Sequence, residues 1–184
     1  MKRIIFFLLA IALTHYAVAQ KKGKNKNSAL KKTDLLYTEG IQRAQEGNYE
    51  EAISDLEQVI FLDSAYTDAY LSLGGVYNQM KNYRLAAGYY AKGIRQDSAK
   101  NKLYNLPYSI NLAGSGHFQE ALDAVMRYLS DPRLGEKSRM AGEYRQKCYA
   151  FAVDYEKKNP SLNYSFIPKN LGPGINTVDP EYFP

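Results

Sequence analysis

The chain has 184 residues, 45% of them apolar, with 17 Tyr and no Trp, which is enough for one modest domain with tails. Its net charge of +5 is unevenly spread, since residues 1–32 hold eight Lys or Arg and no acid, whereas 33–66 hold eight acids against Arg43 alone. A nucleic-acid-binding domain would gather basic residues on one folded face, so we expect no nucleic-acid partner.

The N-terminus has the pattern of a secretory signal peptide. A positive start at Met1–Arg3 precedes ten apolar residues, Ile4–Leu13, and the small residues of Ala17–Ala19. We therefore assign 1–19 as a signal peptide cleaved before Gln20. The apolar run is shorter than the ~20 residues that span a bilayer, so we expect an exported chain with no transmembrane segment after cleavage. Residues 20–32 are predicted to be a disordered Lys-rich linker.

From residue 33 the sequence repeats with a period of 34. Gly47-Asn48-Tyr49 recurs as Lys81-Asn82-Tyr83, and Ala52 recurs as Ala86. A third unit containing Ala121 follows after one inserted residue. Repeats of this length predict stacked pairs of helices, because one pair cannot bury its apolar face alone.

These repeats resemble the tetratricopeptide repeat. The Trp, Leu-Gly, Tyr, Ala and Phe positions of that motif are occupied by Tyr70, Leu73-Gly74, Tyr77, Ala86 and Tyr90. The first repeat matches at Leu36, Gly40, Ala52 and Leu56 but departs at Glu39 and Arg43. The resemblance implies an all-α solenoid of three helix pairs (about 33–66, 67–100 and 101–134) with a capping helix (136–156), together a domain over 33–158.

Helices are predicted at 33–46, 49–62, 67–80, 83–96 and 105–114. The last is short because Pro107 is tolerated only in the first turn of a helix. Asn48 is predicted to cap its helix in a capping box with Glu51, and Asn82 and His117 stand at the matching positions.

The capping helix carries apolar residues at spacings of four, four, three and four, which predicts a single buried face. A polar opposite face suits the end of a solenoid. Cys148, the only cysteine, lies within this stripe, so an internal disulfide is excluded and we expect a buried, unreactive thiol. The stripe consists of Met140, Tyr144, Cys148, Phe151 and Tyr155.

Residues 159–184 are predicted to form an extended tail, because five of the seven prolines fall in 160–184. Asn170–Asn176 and Asp179–Pro184 resemble the lead-in to a WD40-like (PD40) propeller. The order of parts resembles the N-terminal region of Bacteroidetes envelope proteins that continue into such a propeller and an OmpA-like domain. The resemblance implies that this chain is the front portion of a longer architecture, and that peptidoglycan is bound only through a C-terminal domain outside it.

The sequence offers little chemistry for catalysis. His117 and Cys148 lie in a turn and on a helix with no matched partner, and no cluster has metal-ligand spacing. No Gly-rich loop follows a strand, so no phosphate cradle is predicted. We therefore expect a non-enzymatic protein without cofactors or metals.

A stack of this kind offers a concave groove lined by the first helix of each pair. The groove of related repeats that clamps C-terminal carboxylates uses Lys, Arg and Asn, but Tyr37 and Ile41 stand at two of those positions. A mixed apolar and amide groove instead suits an extended peptide or helix. Packing between repeats is an equal alternative for Ile41 and Leu71. The predicted partner-binding residues are Tyr37, Ile41, Gln45, Leu71, Asn78 and Gln79.

These features predict a periplasmic interaction scaffold, associated with the outer membrane, whose partner is another envelope protein or a peptide. The alternative is the N-terminal part of a peptidoglycan-anchoring OmpA-family protein that serves envelope integrity or secretion. A third reading, an exported hydrolase, has no residues to support it.

Overall fold

A computed structural model describes residues 32–160, and its first helix, α1, occupies 32–45. The predictions for the signal peptide, the linker and the tail beyond Pro160 lie outside the described residues. Between 32 and 160 the chain contains α-helices and one 3-10 turn but no strand. These elements are α2 (Tyr49–Leu62), α3 (Thr67–Gln79), α4 (Tyr83–Gln96), the 3-10 turn (Lys102–Tyr104), α5 (Asn105–Gly114), α6 (Phe118–Leu129) and α7 (Glu136–Lys158).

The turns inside the helix pairs fix where the helices begin and end. Gly47 and Gly116 both have φ of +84°, in the left-handed region that glycine enters without a Cβ penalty. Lys81 occupies the equivalent place in the second repeat and adopts φ of +58°. Because these turns recur at the repeat period, the predicted bounds of α2, α4 and α5 agree with the structure, and α3 ends one residue earlier than predicted.

The helix caps agree with the sequence prediction only in part. The Oδ1 atom of Asn82 accepts a hydrogen bond from the backbone N–H of Leu85 at 3.3 Å, so this cap is confirmed. The capping box at Asn48 is wrong, because the Asn48 amide donates instead to the Oε2 atom of Glu46 at 3.4 Å. His117 stands at the N-cap of α6, but its Nδ1 atom lies 3.1 Å from the Ser115 hydroxyl and caps nothing.

Small residues let the two helices of each pair approach closely. Ala52, Ala86 and Ala121, which recur at one position in each repeat, are completely buried. Gly74 packs so tightly against the ring of Tyr90 that an added Cβ would lie 2.9 Å from it. The core therefore lies between paired helices, and its close packing requires glycine or alanine at the contact positions as well as large apolar side chains.

The structure explains why Arg43 stands where the tetratricopeptide motif has a different residue. The Arg43 guanidinium on α1 forms a salt bridge with the carboxylate of Asp55, which is largely buried on α2. A buried carboxylate without a partner would be strongly destabilising, so this arginine and this aspartate form a matched set. The first repeat thus joins its two helices with an ion pair.

The capping helix docks through the face opposite to the predicted one. Gly142, Tyr149 and Val153 are the buried residues of α7. Met140, Tyr144 and Phe151 are 61%, 69% and 71% exposed, and the remaining stripe residues are exposed as well. The predictions of a buried stripe and of a buried Cys148 are therefore wrong.

The physical reason is that α7 has apolar residues on both faces, and only one face can approach α6 closely. An added Cβ at Gly142 would lie 2.7 Å from the Cδ2 atom of Leu129 and 3.0 Å from the ring of Tyr128. Tyr149 meanwhile joins the core cluster that contains Leu112 and Val125.

No helix described between residues 32 and 160 has both the length and the apolar character to cross a membrane.

The turn between α6 and α7 is held by Asp131, which is buried. Its carboxylate accepts hydrogen bonds from the Arg133 guanidinium, at 2.6 Å from Nη2, and from the Arg133 backbone N–H at 2.9 Å. These side-chain and backbone hydrogen bonds lower the pKa of Asp131 from 3.8 to about 2. The ionised carboxylate is therefore the form that stabilises this turn.

We expect Asp131→Asn to flatten the loss of stability in acid. Because the pKa of Asp131 is lowered on folding, its contribution is complete above about pH 4 and is lost as the pH falls towards about 2. Urea unfolding at several pH values between these limits measures the slope. Asp123→Asn, on the exposed side of α6, is the matched control. Equal slopes for wild type and Asp131→Asn would contradict the assignment.

Candidate functional site

The first helices of the three pairs lie side by side and are joined by polar contacts. The hydroxyls of Tyr37 on α1 and Ser72 on α3 lie 3.2 Å apart. One repeat further on, the Asn78 amide donates to the Oδ1 atom of Asn111 on α5 at 2.9 Å. The helices α1, α3 and α5 therefore line one face of the stack.

A cleft of about 460 Å³ opens between α1 and α3 on this face. Ile41 and Ala44 supply partly exposed apolar surface, while the carboxamides of Gln45 and Gln79 supply donors and acceptors. Both glutamines are exposed. The lining residues are Ile41, Ala44, Gln45, Tyr49, Ser72, Gly75, Val76 and Gln79.

The structure brings three of the six predicted groove residues together in this cleft, namely Ile41, Gln45 and Gln79. Tyr37 lies about one turn before Ile41 on α1 and does not line the cleft. Its ring packs against Tyr66 with the centroids 5.1 Å apart. Asn78 is turned towards α5 by its hydrogen bond.

Leu71 is the exception, because it is only 4% exposed and faces the interior of the α3–α4 pair. An added Cβ at Gly93 on α4 would lie 2.6 Å from the Cδ2 atom of Leu71. Leu71 is therefore a core residue, the alternative that its apolar character had left open.

Several residues with a part in this face were not among those predicted. Tyr49 and Ser72 line the cleft, and Asn111 holds the face together from a completely buried position. The Asn111 amide also donates to the carbonyl of Pro107 at 2.8 Å. The sequence contained a signal for Asn111, because it lies 33 residues after Asn78, almost one repeat period, and carries the same amide side chain.

The cleft carries no positive charge, since none of its lining residues is Lys or Arg. Arg43, the only base of the first repeat, is paired with Asp55. At the N-terminal end of α1, seven residues before Ile41, the Tyr66 hydroxyl donates to the carboxylate of Asp34 at 3.3 Å. Burial and the Asp34 charge raise the pKa of Tyr66 to about 12, so the phenol remains a neutral donor. The surroundings therefore favour a neutral or basic ligand over a carboxylate.

A larger basin of about 590 Å³ lies elsewhere, between α4 and α6, with Arg95, Lys102 and Arg127 on its walls. Arg95 and Arg127 stand in the last turns of these helices, where a cation offsets the helix dipole. Arg127 donates to Asn105 at 3.2 Å and Lys102 donates to the carbonyl of Ser130 at 3.1 Å. Structural roles account for these charges, so we do not assign a functional site there.

The residues considered for catalysis lie in separate places. His117 is in the turn before α6 beside Ser115, and Cys148 is on the solvent side of α7. Within the described part of the chain, no three His, Cys, Asp or Glu side chains are grouped to hold a metal ion. The cleft between α1 and α3 is thus the site with the best-defined geometry.

Comparison with known proteins identifies the fold. No protein-family model matches the chain, and no curated protein sequence matches it. A type III secretion system complex from Aeromonas hydrophila has a TM-score of 0.60 at 19% identity, over 66% of this chain and 83% of that chain. The first tetratricopeptide repeat domain of Spaghetti (RPAP3), bound to an HSP90 peptide, has 0.59 at 14% identity, over 67% and 94%. The fold is a tetratricopeptide-repeat solenoid.

A further solved structure also contains a bound peptide. The Yersinia enterocolitica type III secretion chaperone SycD, in complex with a peptide of the translocator YopD, has a TM-score of 0.59 at 20% identity. The alignment covers 65% of this chain and 93% of that chain. At these identities the likeness establishes the tetratricopeptide fold alone, so the function must be argued from the cleft.

Proposed function

We propose that this chain is a non-catalytic scaffold that binds an extended, neutral or basic segment of another protein in the cleft between α1 and α3. The observation that carries the proposal is the cleft itself, which combines apolar surface with two exposed carboxamides and no cation. The peptide complexes of SycD and of the Spaghetti domain support the proposal by showing that this fold accommodates peptides.

The side chains of the cleft match the chemistry of an extended peptide. Each carboxamide, at Gln45 and Gln79, offers both donors and an acceptor, as a peptide backbone does. The surface formed by Ile41 and Ala44 can bury one or two apolar side chains of the same segment. Asp34, near one end of the face, would attract a basic residue of the partner.

Filling the cleft tests this function directly. We expect Gln79→Trp to weaken capture of the partner from envelope extracts at least about tenfold, since losing 1.4 kcal/mol is sufficient. The matched control is Gln58→Trp, because Gln58 is also exposed on a helix but does not line the cleft. Equal capture by both variants, with native circular dichroism, would contradict the proposal.

Gln79 is a better site for this test than its neighbour. Asn78→Ala would leave the buried Oδ1 atom of Asn111 without its donor and would therefore disturb the fold as well. A binding defect in that variant could not be assigned to the cleft.

We also propose that the scaffold acts in the periplasm, associated with the outer membrane. The support is the signal-peptide pattern of residues 1–19, with its small residues before Gln20. N-terminal sequencing of the exported protein should begin at Gln20. An envelope-associated chain that keeps Met1 would overturn this location.

The resemblance of Asn170–Asn176 and Asp179–Pro184 to a propeller lead-in supports a second candidate. In that case the chain is the N-terminal part of an OmpA-family protein whose distal domain anchors it to peptidoglycan. A gene that continues in frame into a propeller and an OmpA-like domain would support the anchor. A stop codon directly after Pro184 in an intact gene would support the separate scaffold.

A further inference from the structure

The exposed face of α7 carries a continuous apolar surface, here called the outer stripe: Met140, Tyr144, Cys148, Phe151 and Tyr155. Their spacing places them on one side of the helix over roughly 22 Å. The rings of Phe151 and Tyr155 stack with their centroids 6.2 Å apart. These residues form one patch rather than scattered exposed side chains.

A patch of this kind requires an explanation. A helix at the end of a solenoid normally presents a polar outer face. Here the docked face already uses Gly142, Tyr149 and Val153, so the outer stripe adds nothing to the contact with α6. Contiguous exposed apolar surface on a soluble protein marks an interaction site.

We propose that residues 161–184 of the same chain pack along the outer stripe and cover it. The segment starts where the stripe ends, since α7 finishes at Lys158 and the described chain at Pro160. Its 24 residues can reach about 80 Å when extended, several times the length of the stripe. The other segment outside the described residues, 1–31, joins the chain at α1, whereas the helices pack mainly on their neighbours in sequence and α7 packs on α6.

The composition of the segment matches the surface. It contains only three charged residues, and its large apolar side chains are numerous for a linker. Its four prolines disfavour a helix, so the contact is expected to consist of side chains from an extended chain. Covalent attachment gives an effective concentration in the mM range, so a weak contact is sufficient. The apolar residues include Tyr164, Phe166, Ile167, Ile175, Tyr182 and Phe183.

Cys148 supplies the measurement, because it is the only thiol and lies in the middle of the stripe. The experiment compares the rate of labelling by a thiol reagent in full-length wild type and in full-length Phe166→Ser/Ile167→Ser. We expect the wild-type thiol to react at least about tenfold more slowly, because labelling would require the segment to lift off. Asn163→Ser/Asn170→Ser is the matched control and should react like wild type.

Three outcomes would overturn the proposal. Equal rates in wild type and Phe166→Ser/Ile167→Ser would show that the segment does not cover the stripe. Protection that increases with protein concentration, with a dimer mass by light scattering, would show that a second copy covers it. Protection only when a separate partner is added would assign the surface to that partner. Circular dichroism of each variant is the control that checks whether the helical domain remains folded.

Discussion

Replacing Leu71 by Ala is expected to lower the free energy of unfolding by about 2–5 kcal/mol, as for other buried Leu→Ala changes. The side chain is 4% exposed and packs against Gly93 on α4. A groove residue would instead change partner binding with little effect on stability. Urea unfolding followed by circular dichroism measures the difference.

The same contact predicts a specific non-additivity. Gly93→Ala alone should destabilise by about 1–3 kcal/mol, because its Cβ would lie 2.6 Å from the Cδ2 atom of Leu71 and 2.8 Å from its Cγ atom. In the Leu71→Ala background these two atoms are gone, so the added methyl group fills part of the cavity. The double variant should therefore be more stable than the sum of the single changes predicts, by at least about 1 kcal/mol.

Gly88→Ala is the matched control on the same helix. Nothing lies within 4 Å of a Cβ built at Gly88, so this change should stabilise α4 by about 0.5–1 kcal/mol through helix propensity. Strict additivity of the Leu71 and Gly93 changes would contradict the described packing of α3 on α4.

Tyr149→Ala is the second change with a large expected effect, about 3–5 kcal/mol, by analogy with buried aromatic residues. Tyr149 is 8% exposed and joins the core cluster of α5 and α6. Phe61→Ala is the control, because Phe61 is 87% exposed on α2 and its loss should change stability by less than about 0.5 kcal/mol. The free energies come from urea unfolding. Similar losses for both variants would contradict the docking of α7 through this face.

The helices could be predicted because the signals that begin and end them are local. The turn residues at Gly47, Lys81 and Gly116 recur at the repeat period, and Pro107 fixes the start of α5. Such residues set the first and last positions of a helix independently of the helices that pack against it. The all-α class and the pairing of helices followed from the same period.

The face that a helix buries could not be predicted in the same way. Periodicity finds an apolar stripe, but α7 has a second, shorter one around Tyr149 and Val153. The difference lies in Gly142, whose missing side chain allows close approach to Leu129. Glycine disfavours a helix, so from the sequence alone Gly142 argues against α7. Only the structure shows that it is the position at which α7 packs on α6.

The groove shows the same limit at the level of single residues. Ile41, Gln45 and Gln79 line the cleft, whereas Leu71, on the same helix as Gln79, turns into the core. Leu71 and Gln79 are eight residues apart, which places them about 80° apart around α3, and only Leu71 points at Gly93 on α4. The sequence therefore predicted the helices that line the cleft better than the individual side chains.

Site-specific photocrosslinking tests most directly whether the cleft between α1 and α3 binds a protein segment. A benzophenone amino acid placed at Gln45 or Gln79 reports contacts at the cleft, and one at Gln58 reports the opposite surface. We predict that Gln45 and Gln79 give adducts with the same partner and that Gln58 gives none. Adducts from Gln58 alone, or an equal yield from all three positions, would show that the cleft is not the binding surface.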